Sequence, residues 1–422
     1  QRLLQMGEAD MERQVWAIRA SFATIQLGHG EGSWPGHAAM ADEMEPATDD
    51  LLGLARAVGD RVLQLAYKDN DYAGWLGVNL IRDREWRVMP VSFDLYNGLG
   101  GIALFLAHLG RLTGEPSYTG MARAAAHSIR RQFEARHGFE DPLPVGVYGG
   151  LSGPIYAFTH LAHLWNEPEW LDRAESYVPM LAKHVKADRG FDMLDGSSGC
   201  IMGLLTLYRA KPSTPILDMA RVCGNHLLAH AQRPEAAPTG LFWHNRIPAT
   251  APLTGFSHGV AGISTALVSL GRTTGEARFL DAGLAALEYE RSTFAADEGN
   301  WPDYLDFGEN SEENSPDRPA AIRHFMTTWC HGAPGIGMSR VMLRGFLDDP
   351  VLDDEIDAAV RTTLRNGFGL NHSLCHGDLG NLDLLEAALT GSERVDVLAK
   401  LGTMVANSIR RDGWLTGIPL GI

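Results

Sequence analysis

Two kinds of helical segment alternate along the chain. The first kind carries its apolar residues on one face, as between residues 49 and 67, where Leu51, Leu54 and Val58 follow helical spacing and Thr48 is suited to cap the first turn. The second kind is apolar nearly all round and is expected to be buried. Because no stretch alternates convincingly with a period of two, the pattern predicts an all-α protein.

Each of the buried segments begins with a G-x-x-G step. The steps are Gly98–Gly101, Gly150–Gly153, Gly196–Gly199, Gly259–Gly262, Gly332–Gly335 and Gly377–Gly380. A single step indicates only close helix packing, but several in phase, each followed by an amphipathic segment, indicate a repeat architecture. The paired glycines are expected to let the buried helices crowd together at a shared end.

This repeat predicts an α/α toroid, a ring with an inner and an outer layer of helices. The outer helices are expected near residues 49–67, 116–134, 167–184, 213–231, 276–294, 350–366 and 393–410. They exceed the inner helices by one, and the chain stops at Ile422, where another inner helix would be due. We therefore expect a seven-hairpin barrel whose last inner helix is missing from this sequence.

The first part of the chain is predicted to stand apart from the toroid. Residues 1–26 have the pattern of a helix, and residues 27–47 are rich in Gly, Pro and small residues, which is typical of a linker. The toroidal domain is therefore expected to span residues 48–422.

The charge and the cysteine content limit which binding partners and which cellular compartment are expected. The formal net charge is −16, and such a surface repels a phosphate backbone, so nucleic acid is not expected as a partner. Four cysteines in 422 residues make no disulfide framework, and the chain shows neither a signal peptide nor an apolar run long enough for a membrane span. These features predict a cytoplasmic protein.

Two Cys-His dipeptides stand immediately before repeat glycines. Cys330 and His331 lie in WCHGAPG, and Cys375 and His376 lie in LCHGDLG. The ring would bring both loops to the same mouth, and two thiolates with an imidazole suit Zn²⁺. From the residues alone, either histidine could complete the site. Three protein ligands would leave the open position that marks a catalytic zinc.

Acid/base candidates lie in the other loops. His258 also precedes a repeat glycine, and the ordinary pKa of histidine suits proton transfer at neutral pH. Asp192 lies four residues before the third G-x-x-G step, and Asp195 is the rival carboxylate, which fits the role of a helix N-cap better. Asp94 holds the equivalent position, four residues before the first G-x-x-G step, and is expected to have a structural role.

The remaining polar and sulfur-bearing features are expected to have no chemical role. Residues 297–318 form an acidic insertion that is predicted to be a solvated loop, with contact to substrate as the alternative. Cys200 and Cys223 lie in predicted helices and are expected to be packed thiols.

Taken together, these residues resemble the lanthionine synthetase C-like family. The resemblance covers about residues 48–422 and rests on the G-x-x-G helices with SHGVAG, WCHGAPG and CHG in order. The leading segment GEADMERQVWAIRASFAT is similar to the stretch before the cyclase domain of bifunctional class II, LanM-type, lanthipeptide synthetases. A stand-alone class I cyclase fits that segment less well.

The resemblance implies a cyclase that forms (methyl)lanthionine thioether rings on a dehydrated precursor peptide with a leader. The reaction would be Michael addition of a peptide Cys thiolate to dehydroalanine or dehydrobutyrine. In bifunctional relatives a preceding dehydratase domain uses ATP and Mg²⁺. Residues 1–47 would be the tail of that domain, and dehydration is not assigned to this chain.

The resemblance also implies the role of each site residue. Zn²⁺ would be held by Cys330, Cys375 and His376, and His331 would lie near the metal without ligating it. The acid/base residues would be His258 and Asp192. His258 as imidazolium is the candidate proton donor, but the two roles could be reversed.

Two other classes of protein compete with a cyclase. A different zinc thiolate enzyme of α/α-barrel shape, such as a prenyltransferase, would need an Asp ligand and clustered aromatic residues, which the sequence does not offer. A non-catalytic zinc toroid that binds peptides or glutathione would keep the same ligands, and the sequence leaves that alternative open.

Overall fold

The computed structural model describes residues 7–28, 51–82, 85–135, 141–234, 239–305 and 324–416. Three sequence predictions fall wholly or largely outside these ranges: the linker, the domain start with its Thr48 cap, and the missing inner helix at the end of the chain. Within the described ranges, no helix combines the length and the apolar character needed to cross a membrane.

Most of the described chain is helical, as the sequence predicts. The helices are α1 (Glu8–Gly28), α2 (Leu51–Leu65), α3 (Leu99–Thr113), α4 (Pro116–Glu134), α5 (Ser152–Trp165), α6 (Glu169–Ser176), α7 (Leu181–Val185), α8 (Ser197–Ala210), α9 (Thr214–His230), α10 (Val260–Thr274), α11 (Ala277–Ser292), α12 (Ala333–Arg344), α13 (Val351–Asn366), α14 (Asp378–Ala388) and α15 (Gly391–Asp412). Each predicted inner helix begins at the second or third residue of its G-x-x-G step.

The helices form two layers. The inner helices pack in chain order, α3 against α5, then α8, α10, α12 and α14, and each also packs against the outer helix that follows it. On the outside, α15 contacts α2, and a Cβ atom on Gly402 would lie 3.4 Å from the Leu51 side chain. The alternation of inner and outer helices confirms the predicted α/α class.

One predicted outer helix is interrupted. A single helix is expected over residues 167–184, but α6 and α7 are separated by a 3₁₀ turn at Val178–Met180. Pro179 lies in that turn, and a proline inside a continuous helix would lack one hydrogen bond and clash with the preceding turn. Helix α6 packs against the inner helices α5 and α8, and α7 packs against α9.

Two antiparallel hairpins are the part of the fold that the sequence pattern does not predict. The strands are β1 (Tyr67–Asp69) with β2 (Tyr72–Gly74), and β3 (Leu76–Arg82) with β4 (Glu85–Pro90). They are tied to the helices, since the Trp75 indole N–H donates to the Val62 carbonyl at 2.8 Å and the Ala73 N–H donates to Ser128 Oγ at 3.0 Å. Strands this short show too few alternations for the period to stand out.

The second glycine of each step makes room for a loop rather than for a neighbouring helix. A Cβ atom on Gly199 would lie 2.0 Å from the carbonyl oxygen of Met193 and 2.6 Å from the backbone nitrogen of Val147. The same relation recurs in every step, because the carbonyl six residues before the second glycine faces it. At Gly380 the corresponding distance is 1.8 Å. The predicted crowding of inner helices is therefore wrong, and the glycines admit the loop that precedes each helix.

Those loops are hydrogen-bonded to one another in series. The contact points lie two residues before the first glycine of each step, except that Gly149, one residue before its step, is the donor in one link. The Leu194 N–H donates to the Ser257 carbonyl at 3.2 Å, the Ser257 N–H to the Cys330 carbonyl at 3.2 Å, and the Cys330 N–H to the Cys375 carbonyl at 3.1 Å. The earlier links run from Tyr96 to Tyr148 at 3.1 Å and from Gly149 to Leu194 at 2.9 Å. We call the six loops, centred on Tyr96, Tyr148, Leu194, Ser257, Cys330 and Cys375, the loop ring.

The glycine contacts predict a specific loss of stability. Gly199→Ala would press a methyl group against two backbone atoms, and we expect the free energy of unfolding to fall by about 2 kcal/mol or more. Gly120→Ala is the matched control, because nothing lies within 4 Å of its Cβ position in α4, and we expect it to be neutral or stabilising by up to about 1 kcal/mol. Urea denaturation measures both, and equal stability of the two variants would contradict the loop-contact explanation.

Candidate functional site

The loop ring brings the two predicted zinc cysteines together. Cys330 and Cys375 hold equivalent positions in neighbouring loops, and the backbone hydrogen bond between them sets the loops side by side. Their Sγ atoms and one ring nitrogen of His376 all lie within 4.8 Å of one another. His376 rather than His331 therefore joins the two thiols in a group able to hold a metal ion.

The hydrogen bond between the two thiols shifts their pKa values in opposite directions. A hydrogen bond from Cys330, with smaller contributions from His376 and Tyr96, outweighs the effect of burial and lowers the pKa of Cys375 to about 4. The pKa of Cys330 is raised well above its ordinary value, because Cys330 is the donor in that hydrogen bond and is itself buried. Cys375 is thus a thiolate at neutral pH.

The donor set fits zinc. Two sulfur atoms and one imidazole are borderline-soft ligands, and three of them would leave one tetrahedral position open. A thiolate in a partly buried setting needs a compensating positive charge, which a divalent cation supplies better than a neighbouring thiol. Thr328 supports the group, since its Oγ1 lies 3.2 Å from Cys330 Sγ.

His258 and Asp192 form a hydrogen-bonded pair in the adjacent loops. His258 Nδ1 lies 2.7 Å from Asp192 Oδ2, and the other carboxylate oxygen accepts the N–H groups of Asp195 and Gly196 at 2.8 and 3.0 Å. Burial works against a charged imidazole, but the hydrogen bond and the charge of Asp192 outweigh it, so the pKa of His258 is raised. With Nδ1 engaged, Nε2 is the ring nitrogen that can meet a substrate.

Asp195 does not act as the helix cap that the sequence suggests. The first turn of α8 is capped by Asp188, whose Oδ2 accepts the N–H of Ser197 at 2.8 Å and its hydroxyl at 2.6 Å. Asp192, in turn, holds the loop just before that helix. The Asp195 carboxyl is left beside the acid/base pair, and burial, followed by the charge of Asp192, raises its pKa to about 6. Asp94 repeats the Asp192 geometry, since its Oδ1 accepts the Asn97 N–H at 3.0 Å.

His331 has a carboxylate neighbour that the sequence does not single out. Its Nδ1 lies 3.5 Å from Asp303 Oδ1, and its ring centre is 6.1 Å from that of His258. In the acidic insertion at 297–318, residues 297 and 298 are exposed, but residues 300–303, which include Trp301 and Asp303, are buried, so this part is not the solvated loop predicted. The residues of that insertion beyond 305 lie outside the described ranges.

Tyr96 also belongs to the site and is missed by the sequence reasoning. Its hydroxyl is hydrogen-bonded to the Cys375 thiolate, and burial together with the charge on Cys375 raises the pKa of Tyr96. The sequence does contain a signal for Tyr96: like Cys330 and Cys375, it stands two residues before the first glycine of its G-x-x-G step. Because Tyr96 is in the first repeat and Cys375 in the sixth, this contact joins the ends of the loop ring.

A cavity of about 160 Å³ opens beside the acid/base pair. Its wall includes Asp192, Asp195, Asn245 and Arg246, together with Pro142 and Pro144. Asn245 fixes the loop of His258, because its side-chain N–H donates to the His258 carbonyl at 3.0 Å. The cavity thus adjoins Asp192, the partner of His258, whereas His258 and the Cys₂His group are not part of its wall.

The two remaining cysteines lie far from this chemistry. Cys200 and Cys223 are fully buried in α8 and α9, and Cys223 is hydrogen-bonded to Cys200, which together with burial raises the pKa of Cys223. The prediction that both are packed thiols is confirmed.

Two layers of helices with a Cys₂His group able to hold a metal ion define the class of this α/α protein, and sequence comparison assigns the family. Residues 89–417, more than half of the chain, match the sequence model of the lanthionine synthetase C-like proteins. The chain belongs to the lanthionine synthetase C-like family. The solved structure of nisin cyclase is similar in fold, with a TM-score of 0.57, 17% identity, and coverage of 86% of this chain and 87% of that one.

Two further relatives differ in length. Glutathione S-transferase LANCL1 of Danio rerio is 22% identical over 68% of this chain and 67% of its own length. Lacticin 481/lactococcin biosynthesis protein LcnDR2 of Lactococcus lactis subsp. lactis is 20% identical over 97% of this chain. The chain spans 42% of the length of that second relative.

The raised pKa of Asp195 predicts a pH-dependent gain of stability in Asp195→Asn. Because the unfolded chain loses this proton near pH 3.8 and the folded one only near 6, the carboxyl destabilises the folded state increasingly as pH rises between those values. We expect the variant to be more stable by about 3 kcal/mol at pH 7.5, and by about half of that at pH 5. Asp188→Ala, which removes the cap of α8, should instead lose about 1 kcal/mol. A pH-independent effect of Asp195→Asn in urea denaturation would refute this account.

The ligand geometry predicts metal content. Native mass spectrometry of the chain should find one zinc ion per molecule, which Cys375→Ala and His376→Ala lose because each removes one of the three donors that the described residues bring together. Cys200→Ala removes a thiol outside the group and should retain the metal. A folded wild-type chain without zinc after zinc addition would eliminate this site.

Proposed function

We propose that this chain is the cyclase part of a LanM-type lanthipeptide synthetase, closing (methyl)lanthionine rings in a dehydrated precursor peptide. One observation carries the proposal: a histidine oriented by a buried carboxylate adjoins a Cys₂His group on the same loop ring. The comparisons with nisin cyclase and LcnDR2 support the same substrate class. Because the chemistry needs reduced thiols, we place it in the cytoplasm.

Zinc held by Cys330, Cys375 and His376 would lower the pKa of a substrate cysteine, so that its sulfur is present as thiolate at neutral pH. The protein's own residues would manage the proton. Neutral His258 accepts the thiol proton at Nε2 and becomes an imidazolium, which the adjacent Asp192 carboxylate stabilises. The proton released by the substrate is therefore stored beside the site.

The ring closes when the substrate sulfur bonds to the β-carbon of the dehydro residue. The alkene π-electron pair then moves to an enolate, which takes the stored proton at Cα and leaves His258 neutral again. No proton or electron is gained or lost overall. This assignment makes Asp192 the orienting residue rather than the base, because one of its oxygens accepts two backbone N–H groups and the other is bonded to His258.

A second candidate function uses the same site with a different thiol. The relative named Glutathione S-transferase LANCL1 supports addition of glutathione, whose thiol would enter from solution instead of from the peptide. The non-catalytic zinc scaffold would bind such ligands without forming a bond. The three alternatives differ in product, so one assay separates them.

The parent protein would be longer than this chain. This chain spans only 42% of the length of LcnDR2, and we propose that a dehydratase portion using ATP and Mg²⁺ precedes the cyclase in the parent protein. Dehydration is not proposed for the residues of this chain.

Cyclisation should depend on His258 without any effect on metal content. A dehydrated peptide incubated with the protein should lose thiols that react with N-ethylmaleimide, at constant peptide mass. In His258→Ala we expect the rate to fall by about 100-fold or more, with zinc retained. His163→Ala, which changes an exposed histidine at the other end of α5, should be unaffected. A peptide that keeps all its thiols with wild-type protein would favour the scaffold, and a mass increase of one glutathione would favour the transferase.

Asp192→Asn tests the orienting role through pH. Since Asp192 raises the pKa of His258, and neutral His258 is the form that accepts the thiol proton, the loss of Asp192 should move the acid-side rise of the cyclisation rate to lower pH. The rate deficit of the variant should therefore grow as pH increases from 6 to 8. A deficit that is the same at every pH would argue for a structural role of Asp192 alone.

A further inference from the structure

Helix α1 is attached to the domain by one face only. Its buried side, with Ala20, Ala23 and Leu27, packs on the β3–β4 hairpin. Arg13 fixes the start of the helix, because its guanidinium donates to the Ala66 carbonyl at 3.2 Å, and Glu12 pairs with Arg61 at 3.3 Å. The orientation of the helix on the domain is therefore defined by both packing and hydrogen bonds.

The opposite face of α1 is an exposed apolar stripe. Its members are Met11, Val15, Ile18, Phe22 and Ile25, with exposed fractions of 56, 38, 56, 67 and 57%. Their spacing of four and three residues in alternation puts all five within about 80° of arc on the helix. Polar residues flank the stripe, which is the composition of a surface that another protein segment covers.

Two comparisons separate α1 from the toroid itself. The family match begins at residue 89, so α1, α2 and most of the hairpins lie outside it. The match to LcnDR2 covers 97% of the chain and leaves only about 13 of 422 residues, so at least half of α1 lies inside it. At least half of α1 is therefore matched by the longer relative, whereas the family match leaves out α1 together with α2, a helix of the outer layer.

Size also decides which partner suits the stripe. Five large side chains at about half exposure offer on the order of 400 Å². A stable complex of separate molecules buries about 800 Å² on each partner, so the stripe alone is too small for a dimer of this chain. A partner on the same polypeptide is present at an effective concentration in the millimolar range, at which a small surface suffices.

We propose that the α1 stripe packs against the polypeptide that precedes residue 1 in a longer parent protein, and so fixes the preceding portion on the cyclase. This inference rests on the proposal that the chain is the cyclase part of a longer protein. It does not depend on zinc or on the bond that is formed. The stripe would keep the toroid and the preceding portion in a fixed relation while a peptide passes between them.

Cysteine accessibility tests the proposal without any need for catalysis. Ile18→Cys places a thiol on the stripe, and Val395→Cys places one at an equally exposed apolar position in α15, at 65% exposure. Maleimide labelling at each site, followed by mass spectrometry, is compared between this 422-residue chain and the full-length gene product. We expect Ile18→Cys to react at least about tenfold more slowly in the full-length protein, and Val395→Cys to react equally in both.

Three results would overturn the proposal. The first is equal labelling of Ile18→Cys in both proteins, and the second is a reading frame that begins at residue 1. The third is a dimer of the 422-residue chain, in sedimentation, that Ile18→Asp with Phe22→Asp abolishes, since the partner would then be a second copy. None of these results bears on ring closure, which the thiol assay measures separately.

Discussion

The backbone hydrogen bonds between successive loops are the constraint on which the candidate site depends. Each loop is fixed on one side by its own inner helix, where only glycine leaves room for the loop carbonyl, and on the other side by the next loop. The separation of Cys330 and Cys375 therefore follows from main-chain geometry rather than from attraction between their side chains. A metal group built this way is preorganised, because its ligands lose little freedom when an ion binds.

Buried charge reinforces the loop that carries His258. Glu290 accepts the Gly255 N–H at 3.0 Å and pairs with Arg340 at 2.9 Å, and all three groups are buried. Such a pair gains little net stability, because the cost of removing both charges from water offsets their attraction. Its effect is geometric: it connects α11 and α12 to a glycine three residues before His258. Gly255 has a φ of +98°, which a residue with a side chain adopts only with strain.

The sequence was sufficient for the repeat, most helix positions and the metal-ligand group, because each of these depends on local pattern or on equivalence between repeats. It was insufficient where long-range packing decides. Asp303 is 28 residues from His331 along the chain, and only the fold makes them neighbours. The assignment of Asp195 as a cap failed because Asp188, further from the helix in sequence, reaches Ser197 through a bend of the loop. The hairpins were missed because their pairing, not their composition, makes them strands.

One position of the loop ring carries four residue types over the six repeats: Tyr96, Tyr148, Leu194, Ser257, Cys330 and Cys375. Because the main chain makes the contacts between loops, side chains at this position can change without loss of the ring. The architecture is consequently compatible with many chemistries, and the same fold alone cannot assign one. Three features distinguish this chain. Two adjacent repeats carry thiols at this position, and the Tyr96 hydroxyl of the first repeat is hydrogen-bonded to one of them, Cys375. In addition, His258, which follows Ser257, is hydrogen-bonded to Asp192 of the third repeat. The side chains at those loop positions, rather than the helices beneath them, carry the argument for thiol chemistry.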